Sequence, residues 1–148
     1  MITIRSSREI ETMQRSGKIT AKVLGDLMRA AKPGMTTKQL DTLAENGIRE
    51  LGGVPTFMGY HGYPATICAS VNDEVVHGIP GDGVLREGDL LSIDIGTTFE
   101  GYVSDSAVTV AIGTVSPEAE RLMKVTQECL MLAIAQMHKG KRLGDIGA

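Results

Sequence analysis

The 148-residue sequence has the length of one domain, and 42% apolar residues are enough for a hydrophobic core. Its formal net charge of −3 provides no basic stripe for a phosphate backbone, so nucleic acid is not an expected partner. The sequence contains no signal peptide and no 18-residue apolar run, and Cys68 and Cys129 form no CxxC or CxxH pattern. We therefore expect a protein of the reducing cytoplasm that does not enter a membrane.

Two amphipathic helices are predicted in the first third of the chain. Ser6 with Glu9, and later Thr36 with Gln39, form capping-box patterns at the helix starts. Pro33-Gly34 ends the first helix and Gly52-Gly53 ends the second. Apolar residues at helical spacing predict one buried stripe on each helix. The stripe of the first helix is Ile10, Met13, Leu24, Leu27, Met28 and Ala31, and that of the second is Leu40, Leu43, Ala44, Ile48 and Leu51.

A glycine-punctuated segment follows from Val54, and its pattern predicts loops and short strands. Gly59 and Gly62 allow a tight loop that brings Tyr60, His61 and Tyr63 together. A loop with this chemistry favours a binding function, and the alternative is a turn capped by packed tyrosines.

A candidate strand and a histidine turn complete this segment. The strand spans residues 65–71 and carries Cys68, which on its own would be an inert buried thiol. His77 follows two valines that predict a short strand and precedes a Gly-Ile-Pro-Gly turn, from which an imidazole can reach a cleft. The alternative for His77 is a polar residue with only structural contacts.

Asp94 and Asp105 lie in two β-rich runs on either side of a predicted hairpin turn at Glu100 and Gly101. In a hairpin with this two-residue turn, the numbers of two facing residues add up to 201. Asp94 therefore faces Ala107, and Asp105 is its diagonal neighbour on the same face. That face is otherwise small or polar, with Ser92, Gly96, Thr98, Val103, Ala107 and Thr109. The opposite face is apolar and predicts a core of Leu91, Ile93, Ile95 and Phe99.

Two carboxylates about 5–8 Å apart at Cβ suit a pair of divalent cations about 3.5–4 Å apart, which one carboxylate could bridge. Two other interpretations are open at this point. The aspartates could be solvated positions on the open face of an antiparallel sheet. The stretch from Ile93 to Thr98 also resembles the phosphate-binding hairpin of actin and sugar-kinase ATPases.

A third helix is predicted from Ser116 as N-cap and Pro117 as its first residue, ending near Gly140. Its predicted buried stripe is Leu122, Val125, Cys129, Leu130, Ala133 and Met137. Shifting the sequence on itself by 106 positions aligns two helix ends and the glycines that follow them, Gly34 and Gly140. We expect a first pseudo-repeat at about 1–111 and the start of a second at about 112–148, so that the chain stops inside an element.

Three segments together resemble a bacterial type I methionine aminopeptidase, and the resemblance covers the whole chain. They are GYHGYPATICASVNDEVVHGIP, IDIGTTFEGYVSDSAVTV and RLGDIGA. The nucleotide-hairpin interpretation accounts for only one of them. The resemblance implies an α+β fold, the N-terminal half of a pita-bread (creatinase/aminopeptidase) fold, with an antiparallel sheet and flanking helices. It also implies removal of the N-terminal methionine from nascent proteins that have a small second residue.

The resemblance also implies roles for residues of this chain. Asp94 would bind one of two divalent metal ions (Co, Mn, Fe or Zn), and Asp105 would bridge both. His77 would be the catalytic residue that contacts the substrate near its scissile amide. The other implied substrate-binding residues are Tyr60, Tyr63, Cys68, Phe57 and His61, with Phe57 where many members have cysteine.

The family's remaining metal ligands, a histidine and two glutamates, come from a second half that this sequence does not contain. We therefore expect the 148-residue chain to be inactive by itself and to bind metal weakly. An open half-fold also predicts a homodimer, with no nucleic acid beyond proximity to the ribosome. The alternative function is a non-catalytic interaction module derived from the pita-bread fold.

Overall fold

The computed structural model describes residues 3–147. It contains the helices α1 (Ser7–Ala30), α2 (Thr37–Glu50) and α3 (Pro117–Gln136) and the strands β1 (Val54–Pro55), β2 (Ile67–Val71), β3 (Leu90–Phe99) and β4 (Tyr102–Ala111). Short 3₁₀ turns lie at Tyr60–Gly62 and Leu143–Ile146. The chain divides into two compact units, the first up to Thr114 and the second from Val115.

Both predicted capping boxes are confirmed. The Ser6 and Thr36 hydroxyls accept from the amides of Glu9 and Gln39, whose side chains accept from the cap amides in return. These reciprocal bonds satisfy amides that a helix start otherwise leaves without a partner, so the local sequence fixes where each helix begins.

The predicted helix stripes are only partly correct. Leu24 and Leu27 of α1, with Leu40, Ala44 and Ile48 of α2, are buried in the core. The outer members are exposed instead: Ile10, Met13, Met28, Leu43 and Leu51. Two hydroxyl residues of α1, Ser16 and Thr20, are fully buried in their place. Helical spacing shows which residues share a face, whereas the position of the sheet decides which part of that face is covered.

The sheet is antiparallel and is built around β3. Strand β4 pairs along the whole length of β3, while β2 and the two-residue β1 share the other side of β3. Glu100 and Gly101 form the predicted two-residue turn, and both have the positive φ that a type I′ hairpin requires. The predicted register is confirmed, with Asp94 opposite Ala107.

The two faces of this sheet differ in burial. Leu91, Ile93 and Ile95 are fully buried against α1 and α2, and Phe99 packs at the margin of this core. The opposite face carries Cys68, Asp94, Gly96 and Asp105 and is called the carboxylate face below. Because side chains alternate along a strand, the apolar positions that anchor the core also fix the direction of the aspartates.

The second unit contains α3 with its predicted N-terminus: the Ser116 hydroxyl accepts from the Ala119 amide, and Pro117 is the first helical residue. The predicted buried stripe of α3 is wrong, because none of its described residues is buried. Leu122, Leu130 and Leu132 are all more than half exposed. Within residues 3–147, no helix is long and apolar enough to cross a membrane.

The pseudo-repeat stays a prediction. Gly34 and Gly140, which the 106-residue shift aligns, both have a positive φ. Two residues after each glycine, a backbone amide donates to the side chain three positions further on, at Thr36 to Gln39 and at Arg142 to Asp145.

Candidate functional site

The carboxylate face brings three predicted site residues onto adjacent rungs of the sheet. Cys68 lies opposite Asp94 between β2 and β3, and Asp105 of β4 lies opposite Gly96 of β3. Asp94 and Asp105 are therefore diagonal neighbours across the β3–β4 pair, near enough for the charge of Asp105 to raise the pKa of Asp94. Asp94 is half-buried and Asp105 is exposed.

The environment of Asp94 disfavours its charged form. Burial raises the pKa of Asp94, and the neighbouring carboxylate of Asp105 raises it further, while the charge of His77 and the Ile95 amide act in the opposite direction. The Oδ1 atom of Asp94 is buried and has no hydrogen-bond partner within the described residues. A buried acceptor without a partner is costly unless something outside the protein satisfies it.

These observations fit a divalent cation. A cation would satisfy the unpaired Asp94 oxygen and remove the repulsion between the two carboxylates, and carboxylate oxygens are suitable ligands for it. In the part of the chain that the structure describes, no group of three or more His, Cys, Asp or Glu side chains could hold a metal ion. Asp94 and Asp105 therefore offer a partial ligand set.

Phe57 borders the aspartates because Gly96 leaves room for its ring. A Cβ atom built on Gly96 would lie only 2.6 Å from Cε1 of Phe57 and 3.1 Å from Cβ of Thr56. Thr56 holds this segment in place through its amide, which donates to the Gly96 carbonyl, and its hydroxyl, 2.9 Å from that of Thr98. An apolar ring therefore lies beside the aspartates on the carboxylate face.

Tyr63 and Cys68 also lie near the aspartates, and the surface that they form with Phe57 is called the wall below. Burial raises the pKa of the Cys68 thiol, and the charges of Asp94 and Asp105 add to this effect, although the nearby Tyr63 hydroxyl opposes it. Burial also raises the pKa of Tyr63 well above its usual value, with smaller contributions from Cys68 and the nearby carboxylates. Both groups therefore stay protonated at neutral pH and present an uncharged surface.

His77 lies on an exposed loop after β2, and the predicted short strand at Val75 and Val76 is absent from the described structure. Its φ of +59° is in the left-handed region, which a residue with a side chain adopts only when its surroundings enforce it. The loop returns to the sheet at Gly78, whose carbonyl accepts from the Ala69 amide at 2.8 Å. His77 is thereby near enough for its charge to lower the pKa of Asp94.

Tyr60 and His61 are also predicted as site residues, but both side chains are exposed to solvent. Their rings meet edge to face at 4.4 Å, and Tyr60 is 65% exposed. His61 has a φ of +47° in the 3₁₀ turn, between Gly59 and Gly62, which also have positive φ. The tight loop is as predicted, whereas among the predicted residues that the structure describes, Phe57, Tyr63 and Cys68 form the wall beside the aspartates.

Sequence reasoning missed two residues that support this wall. Asp41 of α2 accepts from the amides of Thr66 and Ile67 at 2.8 and 2.9 Å, at the start of β2, and its pKa is raised chiefly by burial. Ser70 accepts from the Gly78 amide at 3.0 Å. Strand alternation could have placed Ser70 on the same face as Cys68, but no local pattern predicts that Asp41 pairs with a distant strand.

Comparisons with known proteins identify the family to which this chain is similar. Residues 11–148 match the family model of metallopeptidase family M24. The chain is 48% identical over 147 residues to the methionine aminopeptidase of Clostridium acetobutylicum and 43% identical over 146 residues to methionine aminopeptidase 1 of Bacillus subtilis. Each alignment covers 99% of this chain and 59% of the relative.

A solved structure has a similar fold. The crystal structure of a methionine aminopeptidase from Thermotoga maritima is similar at a TM-score of 0.94 and 40% identity, over 99% of this chain and 59% of that one. The chain thus spans about 59% of the length of the curated relatives it matches.

Proposed function

The chain belongs to metallopeptidase family M24, and from this premise we propose that it provides part of a site that removes the N-terminal methionine from nascent proteins. The predicted fold class is confirmed by the antiparallel sheet with its helices and by the solved relatives. The alternative function, a non-catalytic interaction module, is not favoured, because the curated relatives are named as aminopeptidases.

One observation carries this proposal: the buried, unpaired Oδ1 of Asp94 beside the carboxyl group of Asp105. We assign Asp94 to one metal ion and Asp105 to a bridging position between two, with Co, Mn, Fe and Zn as the candidate metals. Divalent ions at such a site supply Lewis-acid activation of water and of the scissile carbonyl. The two aspartates would hold and orient these ions, which would remove the repulsion between the two carboxylates.

The substrate part of the proposal rests on the uncharged wall. Cys68 and Tyr63 stay protonated and Phe57 is apolar, so the wall suits a flexible thioether side chain, which packs well against rings. Tyr60 and His61 would complete it from the exposed loop. His77 would act as the catalytic residue by donating to or accepting from the scissile amide. A small second residue in the substrate is part of this proposal.

The proposal is tested first by metal binding. We expect Mn²⁺ to broaden the NMR signals of residues around Asp94 and Asp105 selectively, with a dissociation constant weaker than micromolar, because two carboxylates fill only part of a coordination shell. Asp94→Asn and Asp105→Asn should each abolish the selective broadening. The matched control Asp82→Asn, an exposed aspartate outside the carboxylate face, should retain it. Broadening that is unchanged in both site variants would refute the metal assignment.

The substrate assignment needs a separate test. We expect the peptide Met-Ala-Ser, in the presence of diamagnetic Zn²⁺, to shift the signals of Phe57, Tyr63 and Cys68, and an N-acetylated copy to have a weaker effect. The purified chain should release no measurable methionine, because among its described residues no group of three or more His, Cys, Asp or Glu side chains could hold a metal ion. Methionine release that Asp94→Asn abolishes would show that the chain alone is a complete enzyme. Equal shifts with Gly-Ala-Ser would exclude a methionine pocket.

We also propose that the chain self-associates. Strand β4 pairs only with β3 among the described residues, and Val103 on the carboxylate face is 52% exposed. An open strand edge next to apolar surface favours pairing between copies. Facing aspartates would repel, so we expect a homodimer that divalent cations tighten and a chelator loosens. Sedimentation that shows a monomer at all concentrations, with or without chelator, would exclude it.

Nucleic acid is not a proposed partner, whereas proximity to the ribosome and a cytoplasmic location stay predictions from the sequence.

A further inference from the structure

The edge of β2 that does not pair with β3 makes hydrogen bonds to Gly78, the residue after His77. The Gly78 amide donates to the hydroxyl of Ser70 at 3.0 Å, and the Gly78 carbonyl accepts from the Ala69 amide at 2.8 Å. The Tyr63 hydroxyl lies 2.9 Å from the Ile67 carbonyl and 3.2 Å from the Gly78 carbonyl. Both polar groups of the Gly78 backbone are therefore anchored to one strand.

The contact at Gly78 is close and requires the absence of a side chain. A Cβ atom at this position would lie 2.5 Å from the Ala69 carbonyl oxygen and 2.9 Å from its carbon. The backbone of the loop thus lies directly against the backbone of β2. Ser70 is almost completely buried, so its hydroxyl has a fixed position from which to accept the Gly78 amide.

His77 depends on this anchor because of its own conformation. Its φ of +59° lies in the left-handed region, which is unfavourable for a residue with a side chain. The loop before it is exposed, with Val75 at 90% and Val76 at 65%, so packing of the preceding residues does not hold it. The hydrogen bonds at Gly78 are the constraint immediately beside the strained residue.

We propose that the hydroxyl groups of Tyr63 and Ser70 position His77: by fixing Gly78 to the edge of β2, they hold the His77 backbone in its left-handed conformation beside the aspartates. Tyr63 thus acts twice, with its ring in the pocket wall and its hydroxyl on the loop. This inference rests on the proposed role of His77 in contacting the substrate.

The test uses two variants that remove only a hydroxyl group, Tyr63→Phe and Ser70→Ala. We expect each to speed hydrogen exchange of the Ala69 amide about five- to tenfold, which is the effect of losing one hydrogen bond of ordinary strength. Neither substitution touches that amide directly. The Cα shift and the amide coupling constant of His77 should also move from left-handed toward extended values.

The matched control is Tyr102→Phe, which removes a tyrosine hydroxyl that donates to Glu9 at 3.0 Å, outside the β2 edge. It should leave Ala69 exchange and the His77 signals unchanged. Unchanged His77 signals in both test variants would overturn the proposal, even if Ala69 exchange rises. Faster exchange at Ile93 in the core, together with Ala69, would show that the hydroxyls support the whole sheet and would also overturn it. These readouts report the backbone, so they do not depend on peptide turnover.

Discussion

Cys68 and Asp94 lie directly opposite one another in the antiparallel register of β2 and β3, so a thiol and a carboxyl group share one rung of the carboxylate face. Burial raises the pKa of both groups, and the charge of Asp94 raises that of the thiol further. The fold thus holds a carboxylate where its charge is unfavourable, as expected of a position that binds a cation rather than one that stabilises the chain.

The raised pKa of Asp94 predicts a pH-dependent gain in stability for Asp94→Asn. The folded chain binds the Asp94 proton more tightly than the unfolded chain, whose pKa is about 3.9. The unfavourable contribution is therefore absent below about pH 4 and develops as pH rises through the folded-state pKa. Without metal, urea unfolding should show Asp94→Asn to be more stable than the parent at pH 7 and equal to it at pH 3.5. Asp82→Asn should match the parent at both, and a less stable Asp94→Asn at pH 7 would contradict this account.

The two cysteines should differ in reactivity. Cys68 is buried and its thiol pKa is raised, whereas Cys129 is exposed on α3. Because the thiolate is the reactive form, iodoacetamide at pH 8 should alkylate Cys129 first and leave Cys68 protected. Peptide mass spectrometry over time measures both sites. In urea the two alkylation rates should become equal. Equal rates in the folded protein would show that the Cys68 thiol is accessible to solvent.

Gly96→Ala should destabilise the chain because the new methyl group would lie 2.6 Å from the Phe57 ring. Overpacking of this kind costs about 1–3 kcal/mol and should also displace Phe57 from the aspartates. The matched control is Gly17→Ala in α1, where a Cβ atom meets nothing within 4 Å. That substitution should instead stabilise the helix by up to about 1 kcal/mol. Denaturant unfolding of both variants decides this, and a neutral Gly96→Ala would refute the close packing.

Ser104, the residue before Asp105, should be important for stability although it carries no chemistry. Its hydroxyl lies 2.8 Å from that of Ser16 and 2.6 Å from that of Thr20, and Ser16 also donates to the Thr97 carbonyl. Ser104→Ala removes a partner from two buried hydroxyls, which costs about 1–3 kcal/mol. Ser106→Ala, at an exposed position of the same strand, should change the free energy of unfolding by less than about 0.5 kcal/mol. Equal effects of the two substitutions would show that the buried network contributes nothing.

Local sequence was sufficient for the features whose cause is local. The hairpin register followed from the position of Glu100 and Gly101, because a two-residue turn fixes every facing pair. The helix starts followed from Ser6 and Thr36, because a capping box is formed by residues three positions apart. The direction of both aspartates followed in turn, since alternation along a strand ties them to the apolar positions that must face the core.

The tertiary structure alone decided which surfaces are covered and what supports the site. Ile10 and Met13 of α1 have the periodicity of core residues and are exposed, while Ser16 and Thr20 are fully buried, because Ser104 and a β3 carbonyl satisfy their hydroxyls. Asp41 pairs with the start of β2, more than 20 positions away. The reason is general: periodicity and capping depend on neighbours in the chain, whereas burial and the partner of a side chain depend on which distant strand or helix folds against it.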